Sequence, residues 1–301
     1  MRLDAGAERL YVAHASRVEV LSTATGKVIG QIPDTAGVHG VALAAEYGHG
    51  FTSNGADRTV TMFDLPTLRP LMLIRYTGVK PDAIEYDADT LQVFVVNGGS
   101  SGDVTVIAPD TGAITGDVEL QGTKLEQLAF DGRGRAFVND EDQSTVHVFD
   151  THTLKPLLQW SVAPGEGPTG IAYDSGRHRL FVACGNRKLI VLNADTGAVV
   201  GTVPIGADPD GAAFDANGSL IFVANRDGTL TVVHEIGPDN FRVLQNLLTE
   251  PGARTIALDS KSGRIYLPFA RFGAPPLPTK SQPKPRPPMV PESFGILVVG
   301  K

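Results

Sequence analysis

Short runs of alternating apolar and polar residues, separated by polar turns, recur along the whole chain. Residues 180–203, LFVACGNRKLIVLNADTGAVVGTV, contain one such run, a polar break, a second run, an Asp-Thr-Gly turn and a third run. Apolar runs of about four to eight residues bounded by turn signals are typical of β-strands, and no stretch shows the sustained 3.6-residue period of an amphipathic helix. The pattern therefore predicts an all-β protein with little helix.

One aromatic residue marks the same strand in every repeat. Successive aromatics are 40 to 44 residues apart. A period of about 40–45 residues is typical of the four-stranded blades of a β-propeller. The aromatics are Tyr11, Phe51, Phe94, Phe137, Phe181, Phe222 and Tyr266. We therefore predict seven blades.

Each repeat resolves into four strands, named a to d in chain order. In blade five, strand a is TGIAYDSG, strand b LFVAC, strand c LIVLN and strand d AVVGTVP. Asp, Thr and Gly form the turn between c and d, because Asp and Thr bond to the local backbone and Gly accepts a positive φ. A single sheet cannot bury both its faces, whereas radial stacking of blades buries them. We predict one domain over residues 1–301, a seven-bladed propeller of four-stranded antiparallel blades.

The two ends of the chain do not contain complete blades. Blade seven has strands a (RTIALDSK), b (RIYLPFA) and c (GILVVG), and no strand d follows before Lys301. Blade one begins at MRLDAG, which matches only the last part of a strand a. We expect the ring to take its missing outer strand from residues N-terminal to Met1, in a longer precursor of which this chain is a truncated or miscalled version.

A proline-rich insertion, residues 271–293, separates strands b and c of blade seven. It contains eight prolines between Pro275 and Pro291. Such a run favours polyproline II or irregular extended chain over a packed strand. We expect a surface loop; alternatively it is a lid over the channel, or a docking strip that presents Lys280, Lys284 and Arg286.

The strand-b sequences and the strand pairs around the c–d turns resemble a known group. Phrases such as VFVVN and IFVAN, with their final Asn, and the period of the repeat are similar to those of the YVTN-repeat β-propellers, the YncE-like group. The resemblance covers essentially the whole chain and implies a propeller fold. It also implies a bacterial protein of the cell envelope, periplasmic or secreted, although a true start at Met1 would place the chain in the cytoplasm.

Composition and charge exclude few classes of function. The 301-residue chain carries a formal net charge of −7, which argues against general binding of nucleic acid. No apolar run approaches the length of a membrane span, and the first residues lack the features of a signal peptide. We expect a monomer that has no membrane span and does not bind nucleic acid.

The start, or mouth, of strand a is where the repeat brings chemically active side chains together. Loops between strands d and a and between b and c open on one propeller face, and loops on a rigid scaffold often carry binding residues. A residue type shared by many blades indicates scaffold, and a blade-specific residue is a functional candidate. The mouth residues are His39, Asp82, Glu126, Thr169, Asp210 and Arg254. We expect this ring to converge on the channel axis.

A second candidate set lies three residues after each aromatic. Its members are His14, Asn54, Asn97, Asp140, Cys184, Asn225 and Phe269. The recurrent Asn is interpreted as structural, because its side chain can close its own turn. Asn54 is kept as a ligand-binding candidate for its amide oxygen, and His14 because it departs from the Asn pattern.

Two classes of function fit the ring, besides a plain water-filled channel. The first is a non-catalytic scaffold that recognises a protein, glycan or small ligand through His39, Asp82, Glu126, Asp210, Arg254, His14 and Asn54. The second is a cation-dependent hydrolase or lactonase in which Glu126, Asp82 and Asp210 are the catalytic candidates. Carboxylate oxygens suit Ca²⁺, and a histidine with carboxylates suits a transition metal, so the candidate metal ligands are Asp82, Glu126, Asp210 and His39.

The only cysteine and an acidic loop are interpreted as structural. Cys184 lacks a neighbouring base in the sequence, so we predict a buried, inert thiol and no nucleophile. Residues 139–144, NDEDQS, are interpreted as a solvated turn, because their spacing does not fit an EF-hand.

Overall fold

The alternating segments form antiparallel sheets arranged as successive blades. The computed structural model describes residues 1–75, 78–99, 102–279, 283, 285 and 287–300. Within these residues six sheets have four strands each and the seventh has three. The predicted all-β fold with an incomplete last blade is confirmed, and the helix in the described chain is a single 3₁₀ turn, Ala45–Tyr47.

The first three blades follow the predicted order a, b, c, d from one side of each sheet to the other. Blade one contains β1 (Arg2–Asp4), β2 (Arg9–His14), β3 (Arg17–Ser22) and β4 (Val28–Ile32). Blade two contains β5 (Val38–Ala44), β6 (His49–Asn54), β7 (Thr59–Asp64) and β8 (Pro70–Arg75). Blade three contains β9 (Pro81–Asp87), β10 (Gln92–Asn97), β11 (Asp103–Ile107) and β12 (Ile114–Glu119).

The other four blades repeat this order, and the last ends after its third strand. Blade four contains β13 (Leu125–Phe130), β14 (Arg135–Asp140), β15 (Thr145–Asp150) and β16 (Lys155–Ser161). Blade five contains β17 (Pro168–Asp174), β18 (Arg179–Cys184), β19 (Lys188–Asn193) and β20 (Val199–Pro204). Blade six contains β21 (Pro209–Asp215), β22 (Leu220–Asn225), β23 (Thr229–Gly237) and β24 (Asn240–Leu248). Blade seven contains β25 (Ala257–Asp259), β26 (Arg264–Phe269) and β27 (Gly295–Val299).

In blade five, both the backbone conformation and the packing require a glycine at the end of the c–d turn. Gly197 has φ of 74°, a conformation that L side chains rarely adopt. Its N–H donates to the carbonyl of Asn193 at 2.8 Å, which closes the turn. A Cβ at this position would overlap the indole ring of Trp160 on the outer strand of blade four. The turn therefore also sets how closely neighbouring blades approach.

The hydrophobic core lies mainly between blades. All seven repeat-marking aromatics are buried. Between blades four and five, twelve buried residues form one cluster, in which Trp160 from strand d packs with Phe137 of its own blade and Leu180 of the next. Between blades seven and one the cluster has only four buried residues, namely Leu10, Val12, Ala257 and Tyr266. Where a blade has an outer strand, side chains of that strand therefore cover the interface with the next blade.

The blades close into a ring. The innermost strands of neighbouring blades contact one another, and β1 contacts both β5 and β25. On the face of the a–b and c–d turns, His49 of blade two bonds to the carbonyl of Pro109 in blade three, with an Nδ1–O distance of 2.7 Å. His152 lies 3.2 Å from a carboxylate oxygen of Asp89, also in the neighbouring blade. These histidines therefore join neighbouring blades on this face.

The proline-rich insertion lies between β26 and β27. It begins and ends as a pair of antiparallel segments, in which Phe272 bridges Met289. The N–H of Gly273 donates to the carbonyl of Pro288 and that of Val290 to the carbonyl of Arg271, both at 2.8 Å. The predicted docking strip of Lys280, Lys284 and Arg286 lies outside the described residues.

Candidate functional site

The innermost strands surround a cavity of about 540 Å³, here called the channel cavity. Every blade contributes lining residues from its strand a or the segment just before it. The lining includes five of the seven predicted ligand-binding residues: His39, Asp82, Glu126, Asp210 and Arg254. Of the six mouth residues, all but Thr169 line the cavity. The hydroxyl of Thr169 donates instead to the carbonyl of Pro209 at 2.7 Å.

Irregular pairing at the start of strand a turns these side chains towards the cavity. Pairing of β13 with β14 shifts register between Leu125 and Leu128, and Glu126 lies in that interval. Asp210 lies in the equivalent shift between Pro209 and Gly211. A bulge bends the strand and re-aims its side chains. Proline is tolerated as the first residue of β9, β17 and β21, where no ladder N–H is required.

Glu126 is largely, though not fully, buried and lies in a cluster of acidic groups. Burial, the charge of Asp82, a hydrogen bond with Glu141 and the charge of Asp210 together raise the pKa of Glu126 to about 8. Burial disfavours the charged form of a carboxyl and nearby carboxylates disfavour it further. Glu126 therefore carries its proton at neutral pH, and its hydroxyl is the donor in the bond with Glu141.

Asp210 lies in the wall of the same cavity, where a cation and another carboxyl group act on it in opposite directions. Its carboxylate oxygen lies 3.2 Å from Nε of Arg254. Burial raises the pKa of Asp210 and Asp82 adds to the rise, whereas Arg254 opposes it. The side chain of Gln127 donates from Nε2 to the backbone carbonyl of Asp210 at 2.6 Å, a contact between blades four and six. This contact holds the two sides of the cavity together.

Lysines flank the other two carboxyl groups at the mouth. Lys80 Nζ lies 3.6 Å from Oδ2 of Asp82. Lys124 Nζ lies 3.8 Å from Oε1 of Glu126 and makes a closer ion pair with Glu141. Deeper in the cavity, Arg2 pairs with Glu85. The lining is therefore a ring of opposite charges with Glu126 as its protonated member.

The candidate metal ligands share the cavity without forming a compact set. Asp82, Glu126, Asp210 and His39 all line it. Among the described residues, no group of three or more His, Cys, Asp or Glu side chains is arranged to hold a metal ion. The carboxyl groups meet flanking cations instead.

His14 and Asn54 lie outside the channel cavity. His14 Nδ1 is 3.1 Å from Oε1 of Glu19, and its ring stacks on Phe294 with centroids 4.3 Å apart. Asn54 is fully buried and donates to the hydroxyls of Thr59 and Thr61. The structure does not bring these two residues together with the other five.

The recurrent asparagine joins strands b and c within its own blade. Asn97 donates to Asp103 and Thr105. Asn225 donates to Thr229 and Thr231, as Asn54 does to the corresponding threonines. The structural interpretation is confirmed, although the side chain spans two strands and does not merely close a turn.

In blade four, a carboxylate and a histidine occupy the positions at which other blades have the asparagine and its threonine partner. Asp140 is fully buried, and its Oδ2 lies 3.3 Å from Nε2 of His147. Although burial opposes it, the contact with His147 and the N–H groups of Thr123, Gln143 and Lys124 lower the pKa of Asp140 to about 2. The interpretation of residues 139–144 as a solvated turn is therefore wrong for Asn139 and Asp140, which end β14 and are fully buried, because hydrogen bonds offset their burial.

Glu141 is a site residue that the sequence analysis missed. It follows strand b of blade four, at the position that Gly55, Gly98 and Gly185 hold in other blades. In all four blades the N–H of this residue donates to a carbonyl just before strand a. The repeat therefore contained a signal for this site residue, namely a glutamate in one blade at a position where three other blades have glycine.

Cys184 is buried at the end of strand b in blade five. It has no exposed surface, and its Sγ contacts the carbonyl of Val182 at 3.7 Å. Burial raises the pKa of the thiol to about 12, with Lys188 opposing. A thiol in this state is a poor nucleophile, and the prediction of a buried thiol is confirmed.

The sequence matches no protein-family model and no curated protein. Solved structures of other propellers match most of the chain. A chain of Kuenenia stuttgartiensis hydrazine synthase has a TM-score of 0.76 at 13% identity, covering 86% of this chain and 89% of that one. A chain of the mitotic checkpoint complex has 0.75 at 14%, covering 85% and 79%, and U3-55K has 0.75 at 9%, covering 86% and 84%. These similarities establish the propeller fold alone.

Two further observations bear on the surroundings of the site. The described residues include no helix long and apolar enough to cross a membrane. The described part of the insertion contributes no residue to the lining of the channel cavity.

Proposed function

We propose that this chain is a non-catalytic propeller scaffold that binds a small ligand carrying a protonated amine in the channel cavity. The observation that carries the proposal is the burial of Glu126 among Asp82, Glu141 and Asp210. These carboxyl groups come from three different blades, so the closed ring itself brings the acidic groups together. A cationic group placed among them would stabilise the ionised form of Glu126.

The size and composition of the cavity support a small polar ligand. Its volume of about 540 Å³ lies within the range of ordinary small-molecule sites, about 300–1,000 Å³. Glu126 and Asp82 would contact the amine. Arg254 at the opposite side is half-exposed, with 48% of its side-chain surface accessible, and would contact a hydroxyl or carboxylate of the same ligand.

Calorimetry with proton counting tests the proposal. Diamines and amino sugars are titrated at pH 7 in two buffers of different ionisation enthalpy, with CaCl₂ in parallel. Because Glu126 is protonated in the free protein, an amine should displace about one proton per ligand. Glu126→Gln should abolish proton release, whereas Glu119→Gln, on an exposed outer strand, should not change it. Binding without proton release, or no binding of any amine, would contradict the proposal.

A second candidate function is a cation-dependent hydrolase or lactonase that uses the same cavity. The observation that favours it is the raised pKa of Glu126 in the same cavity as other carboxyl groups, since a carboxyl group that keeps its proton near neutral pH can serve as a general acid. Turnover of a lactone panel with and without Ca²⁺ tests it. Activity lost in Glu126→Gln and retained in Glu119→Gln would support catalysis over plain binding.

The cellular setting is part of the proposal. The resemblance of the strand-b sequences to the YVTN-repeat group supports a bacterial envelope protein, periplasmic or secreted. Fractionation of the source cells, with an antibody against this chain, tests the location. Recovery in the cytoplasmic fraction alone would overturn it.

A further inference from the structure

Two acidic side chains are buried against each other between blades five and six, on the face of the a–b and c–d turns. Asp174 ends β17 of blade five and is 4% exposed, and Glu235 lies in β23 of blade six and is 1% exposed. The two side chains are close enough to form a hydrogen bond with each other. Neither lines the channel cavity, so this carboxyl pair is separate from the site described above.

Glu235 departs from the pattern of the repeat. Its N–H donates to the carbonyl of Ser219, the residue just before strand b, and the same bond recurs in three other blades. The equivalent donors there are the buried residues Leu65, Thr151 and Ala194. A carboxyl group at this position is therefore specific to blade six, and the scaffold does not require it.

Asp174 lacks the counter-ion that its equivalent has in blade four. Asp131 ends strand a of that blade, and its Oδ2 accepts a hydrogen bond from Nε of Arg135 at 2.8 Å. In blade five the residue equivalent to Arg135 is Arg179, which donates instead to Asp239 of blade six at 2.8 and 3.0 Å. The arginine that would balance Asp174 is therefore engaged elsewhere.

One oxygen of each carboxyl group has a donor and the other has none. Oδ1 of Asp174 accepts from the N–H of Gly176 at 2.8 Å, and Oε2 of Glu235 accepts from Nη1 of Arg177 at 3.1 Å. Oδ2 of Asp174 and Oε1 of Glu235 are buried, and no donor in the described chain reaches either of them. Buried acceptors without donors are unfavourable, and two carboxylates in contact repel each other.

The charged groups around the pair supply one cation for two carboxyl groups. Among the described residues, only Arg177 lies within ion-pair distance of Glu235, and no cation lies within that distance of Asp174. Burial raises the pKa of Glu235, Arg177 opposes the rise and Asp174 adds to it. The other charged groups on the neighbouring elements have partners or positions of their own: Arg179 pairs with Asp239, His178 with Asp195, Asp215 with the N–H of Asn217, and His234 lies opposite Arg242.

We propose that Asp174 and Glu235 share one proton at neutral pH, held between Oδ2 and Oε1, and that this proton joins blades five and six. With the proton in place, one carboxyl group donates to the other and the remaining negative charge faces Arg177. Each of the two unpartnered oxygens then has a partner. Loss of the proton would leave two carboxylates against a single guanidinium.

The pair lies beneath a hairpin that blade six packs against blade five. Strands β23 and β24 have nine residues each, more than any other strand of the described chain. Phe241 pairs with Glu235 across this hairpin, and its ring packs edge-on against Phe181 of blade five with centroids 6.1 Å apart. Release of the shared proton would therefore loosen the contact between the hairpin and blade five.

Hydrogen exchange at the hairpin counts the proton. The N–H of Glu235 bonds to the carbonyl of Ser219 at 2.9 Å, so its exchange reports the opening of this contact. The intact chain is measured with Glu126→Gln, which removes the other carboxyl group that would release a proton on unfolding. If opening releases one proton, the protection factor, corrected for intrinsic exchange, should fall about tenfold per pH unit between pH 5 and pH 7.

Two amide variants and a matched control complete the test. Glu235→Gln and Asp174→Asn each place an amide donor where the proton lies, so each should keep the hairpin protected at pH 5 and remove the pH dependence. Asp131→Asn alters the equivalent aspartate of blade four, which is paired with Arg135, and should keep the dependence.

Three results would overturn the proposal. Protection that does not change with pH in the parent chain would mean that no proton is released on opening. A dependence that persists in both amide variants would assign the proton to another group. Protection that a chelator lowers at pH 7 would mean that a metal ion, and not a proton, holds the two carboxyl groups together.

Discussion

Replacement of Glu126 by glutamine should make the protein more stable at pH 8 and change it little at pH 5. The structure leaves 17% of the Glu126 side chain exposed and raises its pKa from 4.5 to about 8. The folded chain therefore holds the proton to a higher pH than the unfolded chain does. Below pH 4.5 the Glu126 carboxyl is neutral in both states and does not lower the free energy of unfolding. As the pH rises from 4.5 to 8, the free energy of unfolding falls, because only the unfolded chain ionises this group readily.

The magnitude follows from the size of the shift. One pKa unit corresponds to about 1.4 kcal/mol, so the rise from 4.5 to about 8 costs about 5 kcal/mol well above pH 8. About 3.5 kcal/mol of this cost develops between pH 5 and pH 8. Glutamine keeps the shape and a hydrogen-bonding group for Glu141 but does not ionise. Glu126→Gln should therefore lack this part of the decline in stability with pH.

The measurement is the melting temperature of the wild type, Glu126→Gln and Glu119→Gln at pH 5, 6, 7 and 8. The difference between wild type and Glu126→Gln should grow by about 5 °C from pH 5 to pH 8, and Glu119→Gln should follow the wild type. A difference that is constant across this pH range would refute the reasoning, because the carboxyl of Glu126 would then not titrate in the folded state above its ordinary pKa.

Three further substitutions and one labelling experiment test the fold. Asp140→Asn should lower the free energy of unfolding by about 2 kcal/mol at pH 7, and the loss, measured by urea titration, should shrink below pH 4, because the low pKa of Asp140 stabilises the fold only while the group is ionised. Gly197→Ala should cost about 2–4 kcal/mol, since it combines a strained φ with overlap onto Trp160. Gly132→Ala, with a similar φ of 65° and open space, should cost about 1 kcal/mol, and equal costs would contradict the packing argument. Cys184 should react with a thiol reagent at pH 8 only as fast as the protein unfolds, so rapid labelling in the folded state would contradict its burial.

The repeat made the blades and most of the channel cavity predictable. One period of 40 to 44 residues assigns each strand its place in a blade, and the closed ring brings the start of every strand a to one axis. Asp82, Glu126 and Asp210 were predictable together because they occupy the same phase of the repeat. No alignment of homologues was needed, since the seven copies served as their own comparison.

The errors concern positions one strand away from the axis. The position of a residue within the repeat fixes how far along its strand it lies. Its distance from the channel axis depends on which of the four strands carries it. His14 and Asn54 end strand b, so their side chains meet strand c or a neighbouring blade and do not reach the cavity. Glu141 follows strand b but turns back to the mouth, because its N–H bonds to the carbonyl of Lys124 at 2.9 Å. Backbone geometry of this kind is not visible in residue type alone.

The small cluster between blades seven and one makes that joint the weakest part of the circular wall. Fewer buried contacts imply a lower free energy of local opening there than between blades four and five. Leu3 and Ala257 belong to this joint and also line the channel cavity. Transient separation of the first and last blades would therefore give a ligand a lateral route to the interior, so exchange rates would depend on how firmly the circle is closed.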